Sequence, residues 1–310
     1  MQALLKALIR LWLRLLFKPW FGSRLPLSFQ RRWLALLTRS SGRPKGVDQQ
    51  ELWVGDVRML RLRAGTGDLV GPTELDERDA ILFAHGGGFI LGGGSTYVGF
   101  ASWIAEATGA DVYLPDYRLA PEHPYPAPLD DLFEAYRVIL ALGHPAKRTA
   151  ILGDSAGGAL AVGTVLALPE MGQPSPAALV LLSPFLDLSL SGASVSTKAR
   201  TDPMLSVRFV EEGARAHAAG VRLTDPQVSP LFADLRGLPP TLVQVGTDEI
   251  LLDDSTRFAE RAWGAGAEVE LQRFDGMFHD FQGTAALLKV ARGALDDVAS
   301  FVGGHFDKTR

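Results

Sequence analysis

The stretch that decides the fold is Gly153-Asp154-Ser155-Ala156-Gly157-Gly158, which lies between two different patterns. The apolar run Thr149–Leu152 before it predicts a buried strand, and Ala159–Ala167 after it predicts a helix. A strand that turns this sharply into a helix strains the serine and projects its Oγ, so the neighbouring residues must be very small. Ser155 is therefore a candidate nucleophile; the alternative is a purely structural tight turn.

A second glycine-rich stretch, His85-Gly86-Gly87-Gly88-Phe89, directly follows the predicted strand Ala80–Ala84. Backbone N–H groups without side chains beside them can turn towards a developing negative charge on oxygen. We assign these donors to Gly87, Gly88 and the N–H of Ala156. The alternative, a phosphate-binding loop, lacks the Gly-Lys-Ser/Thr or G-x-G-x-x-G pattern that such loops carry.

A serine nucleophile needs a base and an orienting acid. His279 is the candidate base because it lies in the loop after the last predicted strand, in the chain order Ser…Asp/Glu…His. The remaining histidines lie in the glycine loop, a Pro-rich turn, a surface loop, the inserted helix and a polar tail, namely His85, His123, His144, His217 and His305. Asp248 is the predicted acid because it is nearest the end of the strand Thr241–Val245, with Asp253 as the fallback.

Apolar runs alternate with helix-length stretches beyond residue 80, which predicts a mostly parallel sheet covered by helices on both faces. Leu52–Arg63 predicts antiparallel edge strands, and Gly65–Asp79 reads as a polar connection. The alternation lapses at about 185–238, which we interpret as an insertion above the carboxyl ends of the strands, with a helix near Val207–Ala219.

The N-terminal segment differs from the remainder in charge. Residues 1–47 hold ten Lys or Arg and no acid, whereas the rest holds 21 basic and 35 acidic side chains, a net charge of −14. Residues 1–18 predict one helix, on which Gln2, Lys6, Arg10, Arg14 and Lys18 form a polar stripe. Ser28–Arg39 predicts a second short helix. We expect residues 1–48 to form a cap over a catalytic domain at 49–310, to lie on anionic lipid, or both.

Composition excludes several classes of protein. A content of 47% apolar and 21% charged residues excludes disorder. The absence of cysteine excludes disulfides, thiolate metal sites and a cysteine nucleophile, and we expect neither metal nor cofactor. Nucleic-acid binding has little support because the body is acidic. We expect a cytoplasmic protein. Two possibilities stay open, peripheral membrane contact through residues 1–18 and a homodimer.

The chain resembles the hormone-sensitive-lipase-like family of α/β-hydrolases, in its bacterial esterase branch. The resemblance covers about residues 50–303, and its most specific motif is the string from Tyr117 to Asp131, YRLAPEHPYPAPLDD. It implies the α/β-hydrolase fold, a helical cap formed by the N-terminus and the insertion, and a buried turn in which Arg118 pairs with Glu122. Two departures are Asp280, where many members have glycine, and the acid loop, which lacks the common Asp-Pro-Leu form.

These features together predict a carboxylic ester hydrolase that acts on short to medium acyl esters through Ser155, His279 and Asp248. A lactone or amide hydrolase is the alternative within enzymes, because the same groups serve each reaction. A ligand-binding relative without turnover, like the plant gibberellin receptors, is less favoured because His279 is present. Asp280 is expected to alter the electrostatics of the base or the alcohol side of the pocket.

Overall fold

An eight-stranded sheet forms the centre of the computed structural model, in the order β1-β2-β4-β3-β5-β6-β7-β8. At one edge, β1 pairs antiparallel with β2, and β2 pairs antiparallel with β4. All other neighbouring strands, from β4 and β3 to β7 and β8, pair in parallel. The structure describes residues 1–22, 24–39, 42–65 and 78–306. The strands are β1 Val47–Val54, β2 Val57–Ala64, β3 Ala80–Ala84, β4 Asp111–Pro115, β5 Thr149–Asp154, β6 Ala178–Leu182, β7 Thr241–Gly246 and β8 Val269–Phe274.

Helices cover both faces of this sheet. They are α1 Gln2–Trp12, α2 Leu27–Thr38, α3 Gly94–Thr108, α4 Ala127–Ala141, α5 Ala156–Ala167, α6 Ser194–Thr197, α7 Val207–Ala218, α8 Leu252–Gly264 and α9 Lys289–His305. A π-helical turn, Leu13–Phe17, extends α1. Strands β3 to β7 are buried on both faces, which explains why the sequence shows continuous apolar runs there instead of alternation. The predicted α/β-hydrolase fold, with a mostly parallel sheet, is confirmed. Residues 66–77 of the predicted polar connection lie outside the described residues.

Parallel strands bring the candidate site together at one edge of the sheet. The glycine loop follows β3, Ser155 follows β5, the acidic loop follows β7 and His279 follows β8. The carboxyl ends of parallel strands lie at the same edge, and ligands of open α/β sheets bind there. Residues that are up to about 190 positions apart in sequence therefore meet.

Helix α1 and its extension dock on the rest of the chain through an apolar row, Leu5, Ile9, Leu13 and Phe17, and through the polar stripe beside it. Arg10 Nη1 donates to Asp248 Oδ2 at 2.9 Å, and Arg10 Nη2 donates to the Thr201 carbonyl at 3.0 Å. Lys18 Nζ donates to the carbonyl of Asp202 at 2.7 Å. The N-terminal helix thereby contacts both the insertion, which holds the Thr201–Asp202 turn, and the loop after β7. No helix among the described ranges is both long and apolar enough to span a bilayer.

The Pro-rich string between β4 and α4 forms a turn held by ion pairs. The implied burial of this turn is wrong for its middle, where Pro121, Glu122 and His123 are exposed, and the implied ion-pair partner is wrong as well. Arg118 donates from Nη2 to Asp131 Oδ1 at 2.7 Å, not to Glu122. Glu122 instead accepts from Arg31 of α2 at 2.7 Å. Asp131 lies one turn inside α4 and also accepts the backbone N–H of Arg118, so this pair closes the turn internally. Glu122 is more exposed and links the turn to the N-terminal helices.

Candidate active site

Ser155 occupies the sharp turn between β5 and α5. Its backbone angles, φ 50° and ψ −121°, are strained for a residue with a side chain. The turn closes because the residues two positions away on each side are glycines: a Cβ on Gly157 would lie 2.0 Å from the Ala84 carbonyl oxygen, and one on Gly153 would lie 2.3 Å from the Gly157 oxygen. The sequence requirement for small residues around Ser155 thus has a direct steric cause.

His279 lies between the serine and a carboxylate. Its Nε2 is 2.9 Å from Ser155 Oγ, and its Nδ1 is 2.9 Å from Glu249 Oε2. The imidazole is buried. With the proton on Nδ1 donated to Glu249, Nε2 presents a lone pair to the serine hydroxyl. The three side chains form a continuous hydrogen-bonded chain that can withdraw the serine proton.

The predicted contact between Asp248 and His279 is wrong. Asp248 turns outward and forms an ion pair with Arg10 at 2.9 Å, with Lys198 at 4.0 Å on its other oxygen. The fallback Asp253 lies in the first turn of α8 and accepts the backbone N–H of Ser194 at 2.9 Å. Glu249 takes the position against His279 instead.

Hydrogen bonds within the loop after β7 explain why Glu249 points inward. Its Oε1 accepts the N–H of Gly246 at 2.6 Å and the hydroxyl of Ser183 at 2.8 Å. Neighbouring side chains point to opposite sides of this loop, so Asp248 is directed away when Glu249 is directed in. The sequence holds one signal that Glu249 faces inward, the apolar pair Ile250-Leu251 that directly follows it. In the structure both of these residues are fully buried.

Asp280 adds a carboxylate on the serine side of the imidazole. Its Oδ2 lies 3.1 Å from His279 Nε2, the same nitrogen that faces Ser155. Burial lowers the pKa of His279, but the charges and hydrogen bonds of Asp280 and Glu249 outweigh it and raise the pKa well above its usual range. The structure therefore places Asp280 where its charge acts directly on the candidate base.

A second buried carboxyl, Asp154, lies next to Asp280. Burial and the charge of Asp280 raise the pKa of Asp154 well above its usual range, although Tyr97 donates to it at 3.1 Å. Two carboxyl groups in one desolvated site cannot both ionise easily, so the protonated form of Asp154 is favoured. The other carboxyl oxygen, Oδ1, of both Asp154 and Asp280 is buried without a hydrogen-bond partner among the described residues.

The glycine loop lies directly against the candidate nucleophile. A Cβ on Gly86 would lie 3.0 Å from Ser155 Cβ. The backbone of Gly87 and Gly88 has positive φ, 116° and 63°, which side chains disfavour. No acceptor for the N–H of either glycine occurs among the described parts of the chain. The N–H of Ala156, the first residue of α5, has no intrahelical partner.

Three other histidines in the described ranges are buried and are excluded as bases by their surroundings. The prediction that His144 lies in a surface loop is wrong, because it is fully buried with Nε2 2.8 Å from the Tyr113 hydroxyl. His85 stacks on Tyr117 with ring centroids 4.1 Å apart, and His217 stacks on Phe89 at 4.1 Å. Burial lowers the pKa of each to about 4, so both are neutral at neutral pH. His85 begins the glycine loop and His217 belongs to α7 of the insertion, so both have structural roles at these positions.

A cavity of about 730 Å³ leads from Ser155 to the N-terminal helices. Its walls are mostly apolar and come from α1, α2, α3, the insertion and the segment before α9. Pockets of this size and character accept small organic ligands. Polar groups occur at one end, where the cavity meets Asp154, Ser155, His279 and Asp280.

Comparisons with known proteins agree with this geometry. The family model for the alpha/beta hydrolase fold matches residues 81–283. An esterase of Acinetobacter venetianus is 39% identical over 246 residues, which cover 79% of this chain and 81% of that protein. An acetyl-hydrolase of Streptomyces hygroscopicus is 37% identical over 237 residues, which cover 76% of this chain and 79% of that protein.

Solved structures extend the similarity over nearly the whole chain. An esterase from the bacterial hormone-sensitive lipase family is 35% identical and superposes with a TM-score of 0.88, covering 99% of this chain and 98% of that chain. The chain belongs to the α/β-hydrolase family, in the bacterial branch related to hormone-sensitive lipase. It is a serine hydrolase of the carboxylesterase and lipase type.

Proposed function

We propose that this protein hydrolyses carboxylic esters with short to medium acyl chains, through an acyl-enzyme formed on Ser155. The observation that carries the proposal is the chain Ser155–His279–Glu249, joined by two contacts of 2.9 Å, at the polar end of an apolar cavity. The similarity to proteins named esterase and acetyl-hydrolase supports the same reaction class.

The first half of the reaction transfers the acyl group to the enzyme. His279 Nε2 accepts the hydroxyl proton of Ser155 while Oγ bonds to the ester carbonyl carbon, and the carbonyl electrons move onto oxygen. The N–H groups of Gly87, Gly88 and Ala156 stabilise that oxyanion. When the tetrahedral intermediate collapses, the C–O bond to the alcohol breaks, and the imidazolium gives its proton to the leaving oxygen.

The second half repeats the cycle with water as the nucleophile. His279 accepts a proton from water, hydroxide attacks the acyl carbon, and Ser155 leaves with the proton returned by the imidazolium. Glu249 accepts the Nδ1 hydrogen throughout and stabilises the positive charge that appears on His279 in each half. The neutral imidazole is the reactive form, so activity is expected to fall as pH drops through the raised pKa of His279.

The cap sets the acyl preference in this proposal. Residues 1–48 and the insertion at about 185–238 form its two parts, which contact each other where Phe21 meets Phe209 with centroids 6.0 Å apart. The long apolar wall suits a hydrocarbon chain, whose burial contributes about 0.8 kcal/mol per methylene. A cavity of about 730 Å³ offers room for a medium chain without requiring one.

The test is hydrolysis of p-nitrophenyl esters from acetate to palmitate by the wild type and Ser155→Ala. We expect an optimum at short to medium length, and loss of turnover in the variant to the residual ~10³–10⁴ over water that oxyanion stabilisation alone provides. No turnover of any ester by folded wild type would refute the proposal and redirect the search to lactones and amides. Equal turnover by both proteins would refute the role of Ser155.

A further inference from the structure

The N-terminal helix and its π-helical extension turn two neighbouring rows to the body of the protein. One is the apolar row Leu5, Ile9, Leu13 and Phe17, which packs on the core. The other is the polar stripe, of which Gln2, Arg10, Arg14 and Lys18 make hydrogen bonds to the body. The contacts run from Gln2, which accepts the N–H of Lys289 at 2.9 Å, through Arg10, to Lys18, which donates to two carbonyls at 2.7 and 2.8 Å. These bonds fix the rotation of the helix about its axis.

The opposite face of the helix is apolar and open to solvent. Leu4, Leu8, Leu11 and Leu15 follow one row at alternating spacings of four and three residues, which keeps them on one side. Leu4 is 64% exposed, Leu11 52% and Leu15 60%. Trp12 and Met1 widen the same surface. Contiguous exposed apolar surface of this kind marks an interaction site.

This surface is continuous with the active-site cavity. Leu8 and Trp12 are exposed and also line the cavity, as does Leu287, whose carbonyl accepts from Gln2 at 3.4 Å. The rim of the cavity therefore lies within the apolar patch. Whatever covers the outer face of α1 also covers the entrance to Ser155.

Positive charges lie on an exposed row of α2, a helix joined to the α1 segment by Trp33 Nε1, which donates to the Leu16 carbonyl at 2.9 Å. Phe29, Arg32, Leu36 and Arg39 follow one another at spacings of three and four residues, and all are exposed. Arg32 and Arg39 pair with no carboxylate in the ranges that the structure describes. Arginines that alternate with large apolar residues can place their stems in an apolar layer and their guanidinium groups among anionic headgroups.

We propose that the outer face of α1, with the adjoining row of α2, docks on an anionic lipid surface and presents the cavity rim to apolar esters dissolved there. The proposal rests on the proposed ester hydrolysis for its purpose, but the binding itself does not. A second copy of the chain fits less well, because a two-fold contact on this face would bring the same arginines together. It would also close the cavity entrance.

Vesicle flotation of the full chain tests the docking. The probes are vesicles of phosphatidylcholine alone and of an equimolar mixture with phosphatidylglycerol. Leu4→Ser/Leu11→Ser/Leu15→Ser removes apolar surface without touching the cavity lining, and Trp53→Ser/Met171→Ser is the control, at residues 62% and 56% exposed elsewhere. Arg32→Gln/Arg39→Gln removes charge, with Arg137→Gln/Arg222→Gln, both at exposed positions, as its control.

We expect the wild type to float with the mixed vesicles, and the leucine variant to bind them at least about tenfold more weakly. The arginine variant is expected to lose about 10- to 30-fold on mixed vesicles. Both controls should bind like the wild type. Folding of each variant is checked by thermal unfolding.

Other results overturn the proposal. Wild type that stays unbound to both vesicle types, or leucine and control variants that float equally, would exclude lipid docking. A wild-type dimer that becomes a monomer in the leucine variant, without flotation of either, would assign the face to a second copy. Ser155→Ala is expected to float like the wild type, so loss of turnover and loss of docking are measured separately.

Discussion

Replacing Glu249 with glutamine separates the two acidic neighbours in the loop after β7. The amide oxygen can keep both bonds that Glu249 Oε1 now accepts, from the N–H of Gly246 at 2.6 Å and the hydroxyl of Ser183 at 2.8 Å. The NH₂ group must then face His279 Nδ1, which sits 2.9 Å from the second carboxylate oxygen. A donor in that place forces the imidazole to carry its proton on Nε2.

An imidazole protonated on Nε2 cannot accept the serine proton. The equivalent change in a serine protease triad lowers kcat by about 10⁴, and we expect a similar loss for Glu249→Gln. That factor corresponds to about 5.5 kcal/mol of lost transition-state stabilisation. Asp248→Asn weakens a partly exposed ion pair with Arg10 and a longer one with Lys198, each worth about 1 kcal/mol of stability or less. Its kcat should stay within roughly threefold of the wild type, because the triad geometry is untouched.

The assay is kcat on p-nitrophenyl butyrate for the wild type and both variants, with thermal unfolding of each to confirm the fold. The two substitutions are matched, since each replaces one carboxylate by its amide at adjacent positions. Glu249→Gln that retains more than about a tenth of the wild-type kcat would refute the tautomer argument. If Asp248→Asn instead showed the larger loss, the acid would have to be assigned to Asp248.

Three further predictions follow from other contacts. Asp280→Asn should shift the acid-side loss of activity to lower pH, because the charge of Asp280 is the largest of the influences that raise the pKa of His279 against burial; an unchanged pH–kcat profile would contradict this. Gly157→Ala should lower the free energy of unfolding, measured in urea, by about 3 kcal/mol or more, because the new Cβ would lie 2.0 Å from the Ala84 oxygen. A decrease below about 1 kcal/mol would show that the turn can relax. Arg10→Met should lower the free energy of unfolding by about 1 to 2 kcal/mol and speed proteolysis near the N-terminus, whereas wild-type digestion kinetics would show that α1 is held by its other contacts.

Much of the fold could be predicted because its signals are local. Buried parallel strands produce apolar runs such as Ala178–Leu182, and the serine turn needs glycine at fixed positions. A strand, a turn and a helix can therefore each be predicted from a few consecutive residues. Ser155 and His279 were identified by the same logic, because each sits next to the end of a strand. The structure brings both to within 2.9 Å.

Contacts between side chains that are distant in sequence are harder to predict from the sequence. Asp248 was preferred because it is nearest the strand end, but distance along the chain does not show which side of a loop a residue faces. The family resemblance implied that Arg118 pairs with Glu122, but the chain folds so that Asp131 is its partner.

The docking of α1 has a consequence for the order in which the protein is made. Helix α1 is made before its partners, which lie between 191 residues later, at Thr201, and 287 residues later, at Lys289. At a synthesis rate of about 5–20 residues per second, these partners follow roughly 10–60 s after the helix. During that interval α1 lacks these contacts, and one wall of the cavity is missing. The nascent chain must therefore carry a cationic, leucine-rich segment without these partners until Lys289 has been made, and a chaperone or a membrane can reach this segment before its own domain does.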